Sequence, residues 1–128
     1  MERSLRLRRE AEVRRARGRG RAFADGPLVA RILPNGLTPP QNRYTVVAGK
    51  KVGKAHERNR AKRLAREALR LLHPRLRQGF DVVVIVRGTL DELPTFAVAD
   101  ASLTRILARA GLLIPESPDA APSSPSGQ

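Results

Sequence analysis

The sequence predicts an α+β fold of one domain, in which helices pack against a single sheet. Its 128 residues are a typical length for one domain. Apolar, β-branched segments alternate with segments of helical periodicity in the order helix, strands, helix, strand, helix. The run at 80–86 has little polar interruption, which indicates a central strand that is covered on both faces.

The first predicted element is a short helix. Residues Arg8 to Arg17 lack Gly and Pro and are rich in Glu, Ala and Arg, and the glycines at 18 and 20 are expected to end the helix. The apolar residues 28–33 lie between two turn sequences and predict a strand.

A loop and a second strand follow. Residues 35–42 contain two prolines and one glycine, which predicts a loop. Residues 44–48 are rich in β-branched side chains and predict a strand. We expect a hairpin to join this strand to the one at 28–33.

The segment from His56 to Leu72 has the strongest helical pattern. It contains no Gly or Pro, and His73-Pro74 closes it. At about 100° per residue it divides into an apolar face and a basic face. The expected core residues are Ala61, Leu64, Ala65, Ala68, Leu71 and Leu72.

A last helix and a tail complete the chain. The helix is predicted from about Thr95 to Ala110, with Gly111 as its C-cap. Residues 115–128 contain four prolines, several serines and no basic residue, which predicts a disordered tail after a folded domain at 1–114. The aromatic residues expected in the core are Phe23, Phe80 and Phe96.

Composition excludes several classes of function. There is no cysteine, hence no disulfide, thiolate nucleophile or cysteine-based zinc site. No apolar run is long enough to span a membrane, and the N-terminus lacks the apolar segment of a secretory signal. We therefore expect a soluble, cytoplasmic protein. Asp81, Asp91 and Glu92 have no spacing that forces them together, so no catalytic or metal-binding residue is predicted.

The charge balance points to a polyanion. Lys and Arg number 25 against 12 Asp and Glu, a net charge of +13. Binding to nucleic acid releases counterions, which favours such a partner. A membrane surface would require a basic helix with Trp, Phe and Leu on its other face, and the chain has no Trp. Arginine outnumbers lysine 21 to 4, which suits phosphate contacts but would also result from a GC-rich genome.

Basic residues cluster between positions 50 and 70. Lysines and backbone N–H groups in a glycine-containing turn can converge on an anion at the start of the helix, and the helix adds guanidinium groups at spacings of three and four. A solvated helix face is the alternative. The predicted RNA-binding residues, which we call the basic surface, are Lys50, Lys51, Lys54, Arg58, Asn59, Arg60, Lys62, Arg63, Arg66 and Arg70.

The string KKVGKAHERNRAKRLAREALR at 50–70 resembles the signature of the bacterial ribonuclease P protein subunit family, which reads close to SKKxGxAxxRNxxKRxxRExxR. Gly49 stands where the family often has Ser. Gly20 and Phe23 match the G-x-x-F that ends the family's opening helix, and FDVVVIVRG also lies in its expected place. The resemblance covers about residues 5–114.

The resemblance implies an αβββαβα fold with a left-handed crossover around the basic helix. It also implies a non-catalytic subunit of an RNA-based endoribonuclease, in which the RNA partner requires Mg²⁺ and removes the 5′ leader from precursor tRNA. The expected partners are ribonuclease P RNA and precursor tRNA, with no cofactor held by the protein alone, no membrane and no obligate protein partner evident. A structural RNA-binding protein of the ribosome is the alternative function.

The family implies a cleft for the leader between the first helix and the sheet. The residues assigned to it here are Val13, Arg17, Arg31 and Tyr44. Family members usually have aromatic residues at the positions of the first three, where rings stack on bases. The two arginines predict a more electrostatic channel, or are simply solvated. Tyr44 is expected either to pack at the core edge or to contact a base.

Overall fold

The computed structural model describes residues 5–114, apart from the side chain of Leu90. Its elements follow the αβββαβα order of an α+β domain, as expected. They are α1 (Glu10–Arg19), β1 (Arg21–Asp25), β2 (Leu28–Pro34), β3 (Arg43–Ala48), α2 (Ala55–Leu72), β4 (Phe80–Val86) and α3 (Phe96–Arg109). The predicted tail at 115–128 lies outside the described residues. Within 5–114, no helix is long and apolar enough to cross a membrane.

The four strands form one sheet in the order β1-β2-β4-β3. β4 is parallel to β3 and antiparallel to β2. The central place predicted for β4 is confirmed, and Val82, Val83 and Val84 are fully buried. α2 forms the crossover between β3 and β4. The left-handed sense of that crossover stays a prediction.

The hairpin expected between β2 and β3 is wrong, because β4 lies between them. β4 is apolar on both faces and therefore takes the central place, while β3 goes to the edge. The hairpin partner of β2 is β1, which the residue pattern did not predict and only the resemblance implied. β1 alternates weakly, and Ala22 and Ala24 on one of its faces are exposed.

The sheet separates two apolar layers. α2 and α3 cover one face and form the larger core, which includes Leu28, Val46 and Val84. α1 covers the other face, where Ala16 and Val83 are buried. The three phenylalanines expected in the core are only partly buried and pack at its edge.

Glycine at position 20 lets α1 approach the sheet closely. A Cβ there would lie 2.4 Å from the Ala16 carbonyl oxygen and 2.9 Å from the Ile32 nitrogen. The backbone nitrogen of Gly20 donates to that carbonyl at 2.8 Å. The helix therefore ends at Arg19 and passes through Gly18, which was expected to stop it.

An ion pair attaches α3 to the end of β1. The Arg105 guanidinium donates to both carboxylate oxygens of Asp25, at 2.8 and 2.9 Å, and the Ser102 hydroxyl donates to the same carboxylate. The hydrogen bonds from Arg105 hold the pKa of Asp25 below its ordinary value.

A second charged network joins α1 to the sheet. Asp81 on β4 is fully buried, and Arg43 on β3 donates to both of its carboxylate oxygens at 2.9 Å. The same guanidinium donates to Glu12 on α1 at 3.2 Å, and the Asn35 amide donates to Asp81 at 3.0 Å. The buried carboxylate therefore has several donors, as a buried charge requires.

Arg43→Ala is expected to lower the free energy of unfolding by about 3 kcal/mol, because it leaves the Asp81 carboxylate buried without its cation. Arg14→Ala is the control. It removes an exposed pair with Glu10 and should change stability by less than about 0.5 kcal/mol. Urea denaturation followed by circular dichroism measures both values, and equal small losses would contradict a structural role for the network.

Candidate nucleic-acid interface

The turn before α2 presents its lysines to solvent. Lys50 and Lys51 are exposed, while Val52 between them and the helix is buried and fixes the turn to the core. Gly53 has φ +144°, a conformation that L side chains rarely adopt, and a Cβ there would lie 2.5 Å from the Glu57 carboxylate. That carboxylate accepts from the Lys54 nitrogen at 2.8 Å, so it closes the first turn of α2.

α2 packs through small residues and exposes most of its basic ones. Its buried residues are Ala61, Ala65, Ala68, Leu69 and Leu72. Leu71, expected in the core, is 49% exposed, and Leu69 is buried instead. The two leucines flank the alanine face on opposite sides, and the core covers only one flank.

The residues of the basic surface differ in their surroundings. Arg58 is half-buried and donates to the Gly53 carbonyl at 2.9 Å, so it also holds the turn. Arg60 donates to the Pro94 carbonyl at 3.3 Å, and Arg70 pairs with Glu67. Among residues 5–114, no acidic partner lies within ion-pair distance of the other cations of the set, which are Lys50, Lys51, Lys54, Lys62, Arg63 and Arg66.

The cations of the basic surface make α2 electrostatically unfavourable by itself. Positions 58, 62, 66 and 70 place like charges four residues apart, each pair costing about 0.2–0.5 kcal/mol in an isolated helix. The helix is held in place by its buried face, so the charge remains concentrated on one rigid surface. Such a surface favours a polyanion whose phosphates neutralise it.

The other face of the sheet carries most of the predicted cleft. Val13, like Val47 and Ile85, packs against the buried residues of the α1 core. Arg17 is exposed on α1, and Arg31 on β2 is half-buried, with its Nη2 donating to the Gly18 carbonyl at 3.4 Å. The structure therefore brings the first three cleft residues to one side of the sheet.

Tyr44 does not belong to that cleft. Side chains alternate along β3, so Tyr44 faces α2 while its neighbours Arg43 and Thr45 face α1. Its ring is 1% exposed, and its hydroxyl lies 2.7 Å from His73 Nδ1. Burial raises its pKa to about 12. Core packing, rather than base contact, is what the geometry shows.

A cavity that the sequence did not predict lies at the edge of β3. The Leu7 nitrogen donates to the Tyr44 carbonyl at 2.8 Å, which fixes the segment before α1 along that strand. Arg6 and Arg8 from this segment, with Arg66 of α2, line a space of about 200 Å³. Only long-range pairing brings these arginines together, so no local pattern could have indicated it.

The acidic side chains of residues 5–114 are not grouped around one point. Within residues 5–114, no group of three or more histidine or acidic side chains is placed to hold an ion. Asp25, Asp81 and Glu67 are each bound to an arginine. These three carboxylates therefore take part in the protein's own ion pairs.

The comparisons agree with these features. A family model described as Ribonuclease P matches residues 1–111. The chain belongs to the ribonuclease P protein family. The ribonuclease P protein component of Chloroflexus aggregans is 38% identical over 127 residues, which cover 98% of this chain and 93% of that protein. That of Symbiobacterium thermophilum is 39% identical over 113 residues, covering 88% and 96%.

Solved structures of the family share the fold. The RNase P protein from Thermotoga maritima has a TM-score of 0.72 at 31% identity, with 81% of this chain and 96% of that chain covered. A Staphylococcus aureus RNase P protein, a mutant with defective mRNA degradation activity, has a TM-score of 0.76 at 25% identity, covering 88% and 93%. The mixed four-stranded sheet with three helices is therefore the fold of this family.

The unpaired Arg66 should cost stability. Arg66→Gln is expected to raise the free energy of unfolding by a few tenths of a kcal/mol at low salt, because it relieves like-charge repulsion from Lys62 and Arg70 at similar helix propensity. The gain should shrink at high salt, where repulsion is screened. Arg58→Gln should instead lower it by about 1 kcal/mol through loss of the bond to Gly53.

Urea denaturation at two salt concentrations measures these differences. An equal loss of stability for Arg66→Gln and Arg58→Gln would contradict the prediction. It would mean that Arg66 stabilises the fold and does not add unpaired, repelling charge to it.

Proposed function

We propose that this chain, as a protein subunit of ribonuclease P, binds the catalytic RNA through the basic surface and assists removal of the 5′ leader from precursor tRNA. The observation that carries this proposal is the set of cations on and before α2 that have no acidic partner among the described residues. Because the helix backbone is fixed by its packing, the guanidinium and ammonium groups are already arranged on one face before an RNA backbone binds.

In this proposal the RNA performs the hydrolysis and holds the Mg²⁺ ions. The described carboxylates support that division, because Asp25, Asp81 and Glu67 hold the protein's own arginines. Protein cations that neutralise phosphates would take over part of the screening that Mg²⁺ otherwise supplies, so the complex would work at a lower Mg²⁺ concentration. We place the protein in the cytoplasm, where bacterial tRNA precursors are made.

The leader is proposed to lie beside α1 on the exposed part of the sheet. Val29, Ile85 and Val47 are register neighbours across three strands and are half-buried, so they form an aliphatic floor. Two residues after Val29 on β2, and on the same face, the Arg31 Nε is buried with no hydrogen-bond partner among residues 5–114. A leader phosphate would supply the missing acceptor.

Cleavage of a precursor tRNA at low Mg²⁺ tests the function. We expect a bacterial ribonuclease P RNA to cut faster with the protein present, and the protein alone to be inactive. Arg66→Gln should reduce the stimulation severalfold, because it removes an unpaired cation. Arg15→Gln is the control, since Arg15 is exposed on α1, across the sheet from α2.

Two outcomes would contradict the proposal. Cleavage by the protein alone would make it a nuclease. No stimulation of the RNA would favour the ribosomal alternative, which high-affinity binding to ribosomal RNA would then support.

Arg17→Gln and Arg31→Gln are expected to weaken binding of precursors with long leaders while leaving mature tRNA binding unchanged. The physical reason is that both side chains lie on the α1 side of the sheet, where they can reach leader phosphates. Affinity measured by filter binding to the complex, with Arg15→Gln as the control, checks this. An equal loss for mature tRNA would reject the cleft as the leader site.

A further inference from the structure

A groove runs along α2 where α3 begins. Leu64 and Phe96, both half-buried, form its apolar part, and it encloses about 450 Å³. This volume lies within the range of sites that hold small flat molecules. Thr95 caps α3 at this point by accepting from the Val98 nitrogen at 3.3 Å, so the position of Phe96 is set by the start of a helix.

The rim of the groove is cationic. Arg63 and Arg66 line it, and neither has a hydrogen-bond or ion-pair partner among residues 5–114. Arg60 is held across the groove by its bond to the Pro94 carbonyl, at 3.3 Å. Arg70 also lines it, paired with Glu67. The groove therefore has a positively charged rim and an apolar base.

Phosphate binding alone does not account for this arrangement. A phosphate gains nothing from contact with Leu64 or Phe96, so phosphate binding leaves the apolar part of the groove without a ligand. The same flank of α2 continues to Leu71, which is 49% exposed. A ligand with an anionic group and a flat, apolar group would contact both the cationic rim and the apolar base of the groove. A nucleotide whose base is unstacked is such a ligand.

We propose that this groove receives one unstacked nucleobase of the RNA bound by α2, with the base against Phe96 and Leu64 and a neighbouring phosphate on Arg63. The inference rests on the proposed function and adds to it a specific recognition element. A continuous duplex cannot supply such a base, so the site selects an RNA with a bulge or loop at that point. A contact of this kind distinguishes RNAs of equal charge.

The experiment measures the affinity of the full chain for a bacterial ribonuclease P RNA as a function of salt. Phe96→Leu keeps an apolar side chain but removes the flat ring, and should weaken binding about tenfold without changing the salt dependence. Phe96→Tyr should restore affinity. Arg63→Gln should weaken binding and lower the slope of log affinity against log salt by about one.

Phe80→Leu is the matched control, since Phe80 is also half-buried but lies on β4 away from α2. It should bind as the unaltered protein does. Circular dichroism of each variant shows whether α3 still forms, and ultraviolet cross-linking should join an unpaired nucleotide to the peptide that contains Phe96.

The outcomes separate the two proposals. If the unaltered protein binds tightly and Phe96→Leu, correctly folded, binds equally well, the groove holds no base and the proposed function stands. If the unaltered protein does not bind the RNA, both fail. Cross-linking of that peptide to a protein or a second copy, in place of RNA, would also overturn the nucleobase assignment.

Discussion

The burial of β4 on both faces is the constraint on which the rest of the structure depends. A strand with Val82, Val83 and Val84 fully buried needs cover above and below. α1 supplies one cover, and α2 with α3 supplies the other. Because β4 also pairs in parallel with β3, the chain must cross over between them, and α2 is that crossover. The place of the basic helix therefore follows from the apolar strand.

The composition of α2 serves two opposed requirements. Alanines at 61, 65 and 68 let the helix lie close to the core, and this packing holds it despite its charge. On its outer side, Glu67 is the one acidic residue among positions 5–114 that pairs with a cation of the helix. Charge repulsion that would melt a peptide is thus tolerated because tertiary packing, rather than helix propensity, supplies the stability.

The sequence predicted well whatever depends on one element alone. The periodicity of apolar residues and the Gly and Pro residues that bound each segment located α2, α3 and β4 to within a residue or two. The basic face of α2 followed from helical spacing. Strand pairing was mispredicted, because a single strand does not show its neighbour, and β1 has too little alternation to be recognised. Tyr44 was placed in the cleft for the same reason. The face of the sheet to which each β3 side chain points depends on the register of β3 with β4.

The basic surface and the proposed leader cleft lie on opposite faces of the sheet. The edge of β3 lies between them. There the segment before α1 pairs with Tyr44, and its arginines at 6 and 8 meet Arg66 of α2 around one cavity. Positive charge thus continues around the sheet edge from α2 towards α1. In the proposed function, these arginines give an RNA that is held on α2 further phosphate contacts on the way to α1, so that one small domain would hold a catalytic RNA and a substrate leader together.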